Sequence, residues 1–142
     1  MLSPLAEIQN VKIQTRLTDT CPVLASEDDL YQIIFNLIEN GIKYNKPGGN
    51  LYIILERTED TAILTVRDEG NGIPEESLPY IFDRFYRVDK ARSRSTGGSG
   101  LGLSIVKELV RKHKGDIAVE STVGAGTVFT LHFPVHNKED EI

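Results

Sequence analysis

Four polar side chains, Asn36, Asn40, Lys43 and Tyr44, recur at spacings of one, three and four residues. At roughly 100° per residue they share one arc of a helix. Glu39 sits at its edge, and Leu30, Ile34 and Ile38 point the opposite way, toward a sheet. Asn is a poor helix former because its amide competes with the backbone. An Asn pair at i and i+4, beside Lys and Tyr, is therefore an unusual choice for solubility alone. Amide oxygens suit a hard cation such as Mg²⁺, and an ammonium suits phosphate. A solvated face with an incidental Asn pair explains the same helix equally well.

Three glycine clusters add to this. Asp68-Glu69-Gly70-Asn71-Gly72 follows a strand. Its glycines permit close approach to a planar ligand, and a carboxylate there can accept from an exocyclic amine. A plain turn has the same pattern. Gly97-Gly98-Ser99-Gly100-Leu101-Gly102-Leu103-Ser104 opens a helix, an arrangement that offers N–H groups and positive dipole to an anion. It has neither P-loop nor Rossmann spacing. Its neighbourhood favours phosphate over a simple linker: from Arg84 to Arg94, Arg84, Arg87, Lys90, Arg92 and Arg94 face only Asp89. Gly124-Ala125-Gly126-Thr127 reads first as a hairpin turn, with Thr127 in reach of a ligand if that turn borders the pocket.

The elements that must position these residues alternate between α and β patterns. Val11–Leu17 has period two and predicts a strand, with Pro22–Ala25 a short second one. A helix is expected from Ser26 to about Tyr44, ended by Asn45-Lys46-Pro47-Gly48-Gly49. Leu51–Arg57 and Thr61–Arg67 predict a hairpin, Glu75–Phe85 a short helix, and Leu101–Lys112 a helix ending near Gly115. Val88–Ser99 lacks periodicity and is a mobile-loop candidate. Asp116–Ser121 and Thr127–Pro134 close the chain as strands. The pattern predicts an α+β fold, a two-layer α/β sandwich. Residues 1–7 read as a linker stub, 8–136 as the domain, and 137–142 as an acidic tail.

With 142 residues, 39% apolar and 26% charged, the chain suits one soluble globular domain. A net charge of −5 argues against non-specific nucleic-acid binding. The single cysteine, Cys21, excludes an internal disulfide and a Cys-rich zinc site. No apolar run approaches a membrane span, and no secretory leader is visible after Met1.

Taken in order, the motifs resemble the catalytic and ATP-binding domain of bacterial sensor histidine kinases, the Bergerat-type ATP fold. Asn36–Tyr44 resembles the family's N box, Asp68–Pro74 the first glycine box and Ile81–Arg87 the F box. Gly98–Leu103 resembles the second glycine box, and Gly124–Thr127 the turn beyond it. The resemblance spans about Ile8 to Pro134. It implies a mixed, mostly antiparallel sheet of about five strands covered on one face by about three helices.

The resemblance also implies roles. Asn40 would hold Mg²⁺, with Asn36 close to metal and phosphates. Lys43 and Tyr44 would face the nucleotide, Lys43 toward phosphate, and Asp68 would take the adenine amino group. Arg87, with Arg84, would meet the terminal phosphate. Gly70, Gly72 and Ile73, then Gly98, Gly100, Leu101, Gly102 and Leu103, and finally Thr127, would complete the ATP site. Glu39, Lys43 and Arg87 are the candidate catalytic residues, Glu39 by polarising the acceptor or a water. The expected partners are ATP or ADP, a His-containing dimerisation domain and a response-regulator receiver domain. The chain is expected to be monomeric and cytoplasmic, and to belong to a membrane-anchored sensor. The alternatives are a stand-alone serine kinase of the anti-sigma-factor type, which shares this fold, and a non-catalytic nucleotide-sensing module.

Two features depart from the family. Gly41 stands where Ala is usual, with an expected cost to the helix of up to ~1 kcal/mol. The domain bearing the phosphoacceptor is missing, and none of His113, His132 and His136 lies in a His-acid helical motif. His113 reads as a cation at a helix C-terminus. In the related gyrase and chaperone ATPases a Glu one turn before the metal-binding Asn activates water. Asn36 stands there instead, so poor ATP hydrolysis is expected.

Overall fold

The computed structural model describes residues 11–17, 27–58, 60–83 and 102–134. Within them the chain runs β1 (Lys12–Leu17), α1 (Glu27–Lys43), β2 (Asn50–Arg57), β3 (Thr61–Asp68), a 3₁₀ helix (Glu75–Tyr80), α2 (Gly102–Lys112), β4 (Asp116–Thr122) and β5 (Gly126–Pro134). The five strands form one sheet in the order β1-β2-β3-β5-β4. β1 lies parallel to β2, with Ile13 opposite Leu51, because α1 carries the chain back across the sheet before β2 begins. The other pairs are antiparallel. This is the mostly antiparallel α/β sandwich that the motifs implied. The short strand expected at Pro22–Ala25 and the loop at Val88–Ser99 lie outside the described residues, as do the first and last segments of the chain.

Alternation along the strands builds the core. Ala62, Leu64 and Val66 of β3 and Phe129, Leu131 and Phe133 of β5 turn to the helices and are buried. The opposite face is more polar, and there Arg67 stacks 4.4 Å over the Tyr52 ring. α1 buries Ile33, Leu37 and Ile42, with Ile34 and Ile38 packed around them. The buried stripe is therefore centred on Ile33 and Leu37 rather than on Leu30, Ile34 and Ile38. α2 contributes Val106 and Val110, both fully buried.

One element differs from expectation, and another ends where expected, for visible reasons. After Pro74 the chain forms a 3₁₀ helix rather than an α-helix, and it contains Pro79. In an α-helix that ring would press on the Glu75 carbonyl and remove a donor. The expected helix's last residues, Arg84 and Phe85, lie outside the described residues. α2 ends in a Schellman turn: Gly115 N–H donates to Val110 O (2.9 Å) and Lys114 N–H to Arg111 O (3.0 Å). Its positive-φ residue is Lys114, at 61°, and not Gly115. Gly115 is small for another reason: a Cβ there would sit 2.6 Å from His132 O.

Candidate functional site

The helical layer and one end of the sheet converge on a small set of residues. Asn36, Asn40 and Lys43 along α1, and Tyr44 just past its end, are all half-buried. Lys43 Nζ lies 3.4 Å from Glu39 Oε1, an i,i+4 pair whose side chains are 16% and 34% exposed. The two residues assigned to catalysis on α1 therefore hold each other. Asn36 Nδ2 is buried and has no hydrogen-bond partner among the described residues. Its Oδ1 lies 3.9 Å from the point where Gly102, the first residue of α2, would carry a Cβ. A shielded amide donor without an acceptor, beside a helix N-terminus, is a place where a buried polar group is missing its partner.

The loop after β3 is wedged between α1 and the β4–β5 turn by main-chain contact. Asn71 N–H donates to Tyr44 O at 3.3 Å, and Asn71 O accepts from Gly124 N–H at 2.8 Å. A Cβ on Gly70 would come 2.1 Å from Tyr44 O, and one on Gly72, at φ 76°, would come 2.2 Å from Thr122 O. Only glycine allows these approaches. Behind the loop, Glu69 Oε1 accepts from the Asn50 side chain (2.8 Å) and the Asn50 N–H (2.7 Å). Those two bonds, side chain first, hold its carboxyl below the usual range. Asn45, itself buried, donates to Asn50 O. These bonds brace the end of α1 against the start of β2.

Asp68 closes the last turn of β3 and is only 7% exposed. Burial pushes its carboxyl up to about 6, although the Gly70 and Thr127 N–H groups donate to it and pull the other way. Thr127, 4% exposed, is its neighbour across the β3–β5 ladder. A carboxylate held here at a desolvation cost is poised to accept from a ligand. A hollow of about 210 Å³ opens at this end of the sheet. Arg67, Glu120 and Val128 of the outer sheet face line it as well, so it backs the Asp68–Thr127 row.

The structure thus brings Asn36 and Gly102 together, Tyr44 with Gly70, and Asp68 with Gly70 and Thr127. Ile73 and Leu103 pack against the core through their side chains, so what they can offer a ligand is main chain. Arg84, Arg87, Gly98, Gly100 and Leu101 lie outside the described residues. Sequence reasoning missed Ser121, whose Oγ accepts from Ile73 N–H at 2.7 Å. The signal was available: Ile117, Val119 and Ser121 alternate on the inner face of β4, and a hydroxyl at an inward position needs a partner. It also missed the Asn45–Asn50–Glu69 brace, which no local pattern marks.

Comparisons with known proteins agree with this fold. Residues 25–137 match the family described as histidine kinase-, DNA gyrase B-, and HSP90-like ATPases. Sensor histidine kinase RppB of Synechocystis sp. is 46% identical over 110 residues, covering 78% of this chain and 24% of its own length. Sensor histidine kinase WalK of Bacillus subtilis is 43% identical over 117 residues, or 81% and 19%. The chain thus spans about a quarter or less of these relatives. The mycobacterial sensor histidine kinase MprB superposes with a TM-score of 0.82 at 30% identity, covering 95% of this chain and 91% of that one. Full-length ShkA in complex with AMPPNP superposes at 0.80 with 27% identity, covering 96% and 28%. The chain belongs to the histidine kinase-, DNA gyrase B- and HSP90-like ATPase family, as a catalytic ATP-binding domain of the sensor-histidine-kinase kind.

Proposed function

We propose that this chain binds Mg·ATP between α1, the loop after β3 and the start of α2, and presents the γ-phosphoryl group to a histidine on a separate dimerisation domain. A response-regulator receiver domain is the next acceptor, and the cytoplasm, as part of a membrane-anchored sensor, is the place of action. The observation that carries the reading is the buried Asn36 amide, without a partner among the described residues, beside the start of α2. A phosphate oxygen is the acceptor it lacks.

The residues present fit the nucleotide. Asp68 offers a desolvated carboxylate to the adenine amino group, and Tyr44 closes the end of α1 beside it. Asn36 and Asn40 supply amide oxygens to a hard cation. That donor set is neutral, so the ligand's own phosphates must contribute the charge that holds the metal. Bound Mg·ATP supplies the transferable phosphoryl group. Lys43 exchanges Glu39 for a phosphate oxygen, which frees Glu39 to orient the incoming imidazole. Arg84 and Arg87 add positive charge from the F box, and the backbone from Gly98 to Leu103 adds donors. Positioning and charge, rather than a covalent group on this chain, serve phosphoryl transfer. No residue on α1 takes the water-activating place, so the phosphoryl group is kept for the histidine.

Titration calorimetry tests the reading. Mg·ADP should bind the wild-type chain. Asn40→Ala should weaken it more than about tenfold with Mg²⁺ and little with EDTA, since it removes a metal ligand. Absence of binding by the wild type overturns the proposal. Equal losses with and without Mg²⁺ overturn the metal role of Asn40.

A further inference from the structure

Asp68, Thr127 and Ser121 stand side by side on three neighbouring strands, paired across β3–β5 and then β5–β4. Ser121 Oγ makes three short polar contacts. It accepts from Ile73 N–H at 2.7 Å, lies 3.0 Å from Gly126 O and lies 2.8 Å from Thr127 Oγ1. Proton counting orders them. A serine hydroxyl has one proton, and a carbonyl can only accept. The Ser121 proton therefore goes to Gly126 O, and Ser121 accepts at its other two contacts. The Thr127 hydroxyl spends its proton on Ser121 and has only acceptor capacity left for a ligand.

The same bond acts on Asp68. Gly126 O and Thr127 N–H are the two ends of one peptide group. The N–H end donates to the Asp68 carboxylate, while the Ser121 hydroxyl holds the carbonyl end. A hydrogen bond on the carbonyl strengthens the N–H as a donor. Gly126 has a φ of 129°, and a Cβ there would lie 2.1 Å from Asp68 O, so this peptide sits directly against β3. Through Ile73, Ser121 also pins the glycine loop on the other side of Asp68.

We propose that Ser121 is a positioning residue for base selection. By fixing the Gly126–Thr127 peptide and the Ile73 loop, it leaves Asp68 and the Thr127 hydroxyl as acceptors toward position 6 of the base, and so selects a 6-amino purine over a 6-oxo purine. This rests on the nucleotide reading above and goes beyond it, because Ser121 acts through Asp68 and Thr127. Without the Ser121 hydroxyl, Thr127 regains a donor that a 6-oxo group accepts.

Calorimetry with Mg·ADP and Mg·IDP, whose bases differ at position 6 and the adjoining ring nitrogen, tests it in the whole chain. Wild type should prefer ADP, and Ser121→Ala should shrink that preference about tenfold while Ser121→Thr keeps it. If the alanine variant does not fold by thermal melting, Ser121→Cys, of nearly the same shape but a poor partner, must show the same shrinkage. An equal loss for both nucleotides, or an unchanged preference, overturns the role of Ser121 and leaves the nucleotide reading standing. A wild type that binds neither nucleotide overturns both.

Discussion

Asp68 illustrates how a single residue is kept at a cost to stability. Its carboxyl titrates at about 6 against an ordinary 3.8, so the folded protein holds that proton more tightly than the unfolded chain does. The resulting stabilisation is fully present below pH 4 and is lost as pH rises through 6, a loss of about 3 kcal/mol by pH 7. Asp68→Asn should therefore stabilise the ligand-free chain by about 1–2 kcal/mol at pH 7.5, with the gain vanishing toward pH 4. Urea melts at the two pH values measure this. The same variant should lose most of its affinity for ADP, and wild-type affinity should fall as pH drops below 6 and the anionic acceptor is neutralised. Asp68 was legible in the sequence because a carboxylate ahead of Gly-x-Gly at a strand end is a local pattern. Ser121 was not singled out, since its partners Ile73 and Thr127 are 48 and 6 residues away and meet only when β4 takes its place beside β5.

Among the elements, α1 carries both the candidate ligand face and much of the core. Gly41, expected only to weaken this helix, has a packing role. It is buried, and a Cβ there would come 2.5 Å from Leu51 Cδ1 on β2. Leu51 is fully buried, so its methyl has no open space to enter. Gly41→Ala should gain about 1 kcal/mol of helix propensity and lose about 1–3 kcal/mol to overpacking, a net destabilisation of about 1 kcal/mol. Combined with Leu51→Val it should be no less stable than Leu51→Val alone, and a double-mutant cycle by urea denaturation measures that coupling. Periodicity gave the existence and limits of α1, whose observed span is Glu27–Lys43. It did not give its rotation, because Leu30, Ile33, Ile34, Leu37 and Ile38 form a wide apolar arc, and only contact with the sheet decides its centre. Pro79 was visible in the sequence too, yet the spacing still read as an α-helix where the chain makes a 3₁₀ turn.

On the scale of the molecule, strand order was the least legible feature, since it depends on α1 returning the chain parallel to β1 and on β5 entering between β3 and β4. The tie between the two helices was equally hidden. Asp29 near the start of α1 accepts from Lys112 at 2.8 Å and lies 2.7 Å from His113 Nε2, 84 residues away. His113 is therefore a specific partner of Asp29 rather than only a residue at a helix end. Lys112 is 62% exposed, and the better shielded His113 carries the contact. Asp29→Ala should destabilise the chain by about 1–2 kcal/mol, and Lys112→Ala by less than about 0.5 kcal/mol, in equilibrium denaturation. The glycine-lined junction has a different consequence. Where Gly70, Gly72 and Gly126 touch the backbones of Tyr44, Thr122 and Asp68, main chain rests on main chain, and point mutation has almost nothing there to rewrite. An inhibitor anchored on those peptide groups would leave the protein few routes to resistance, because most exchanges that blocked it would push the domain's own walls apart.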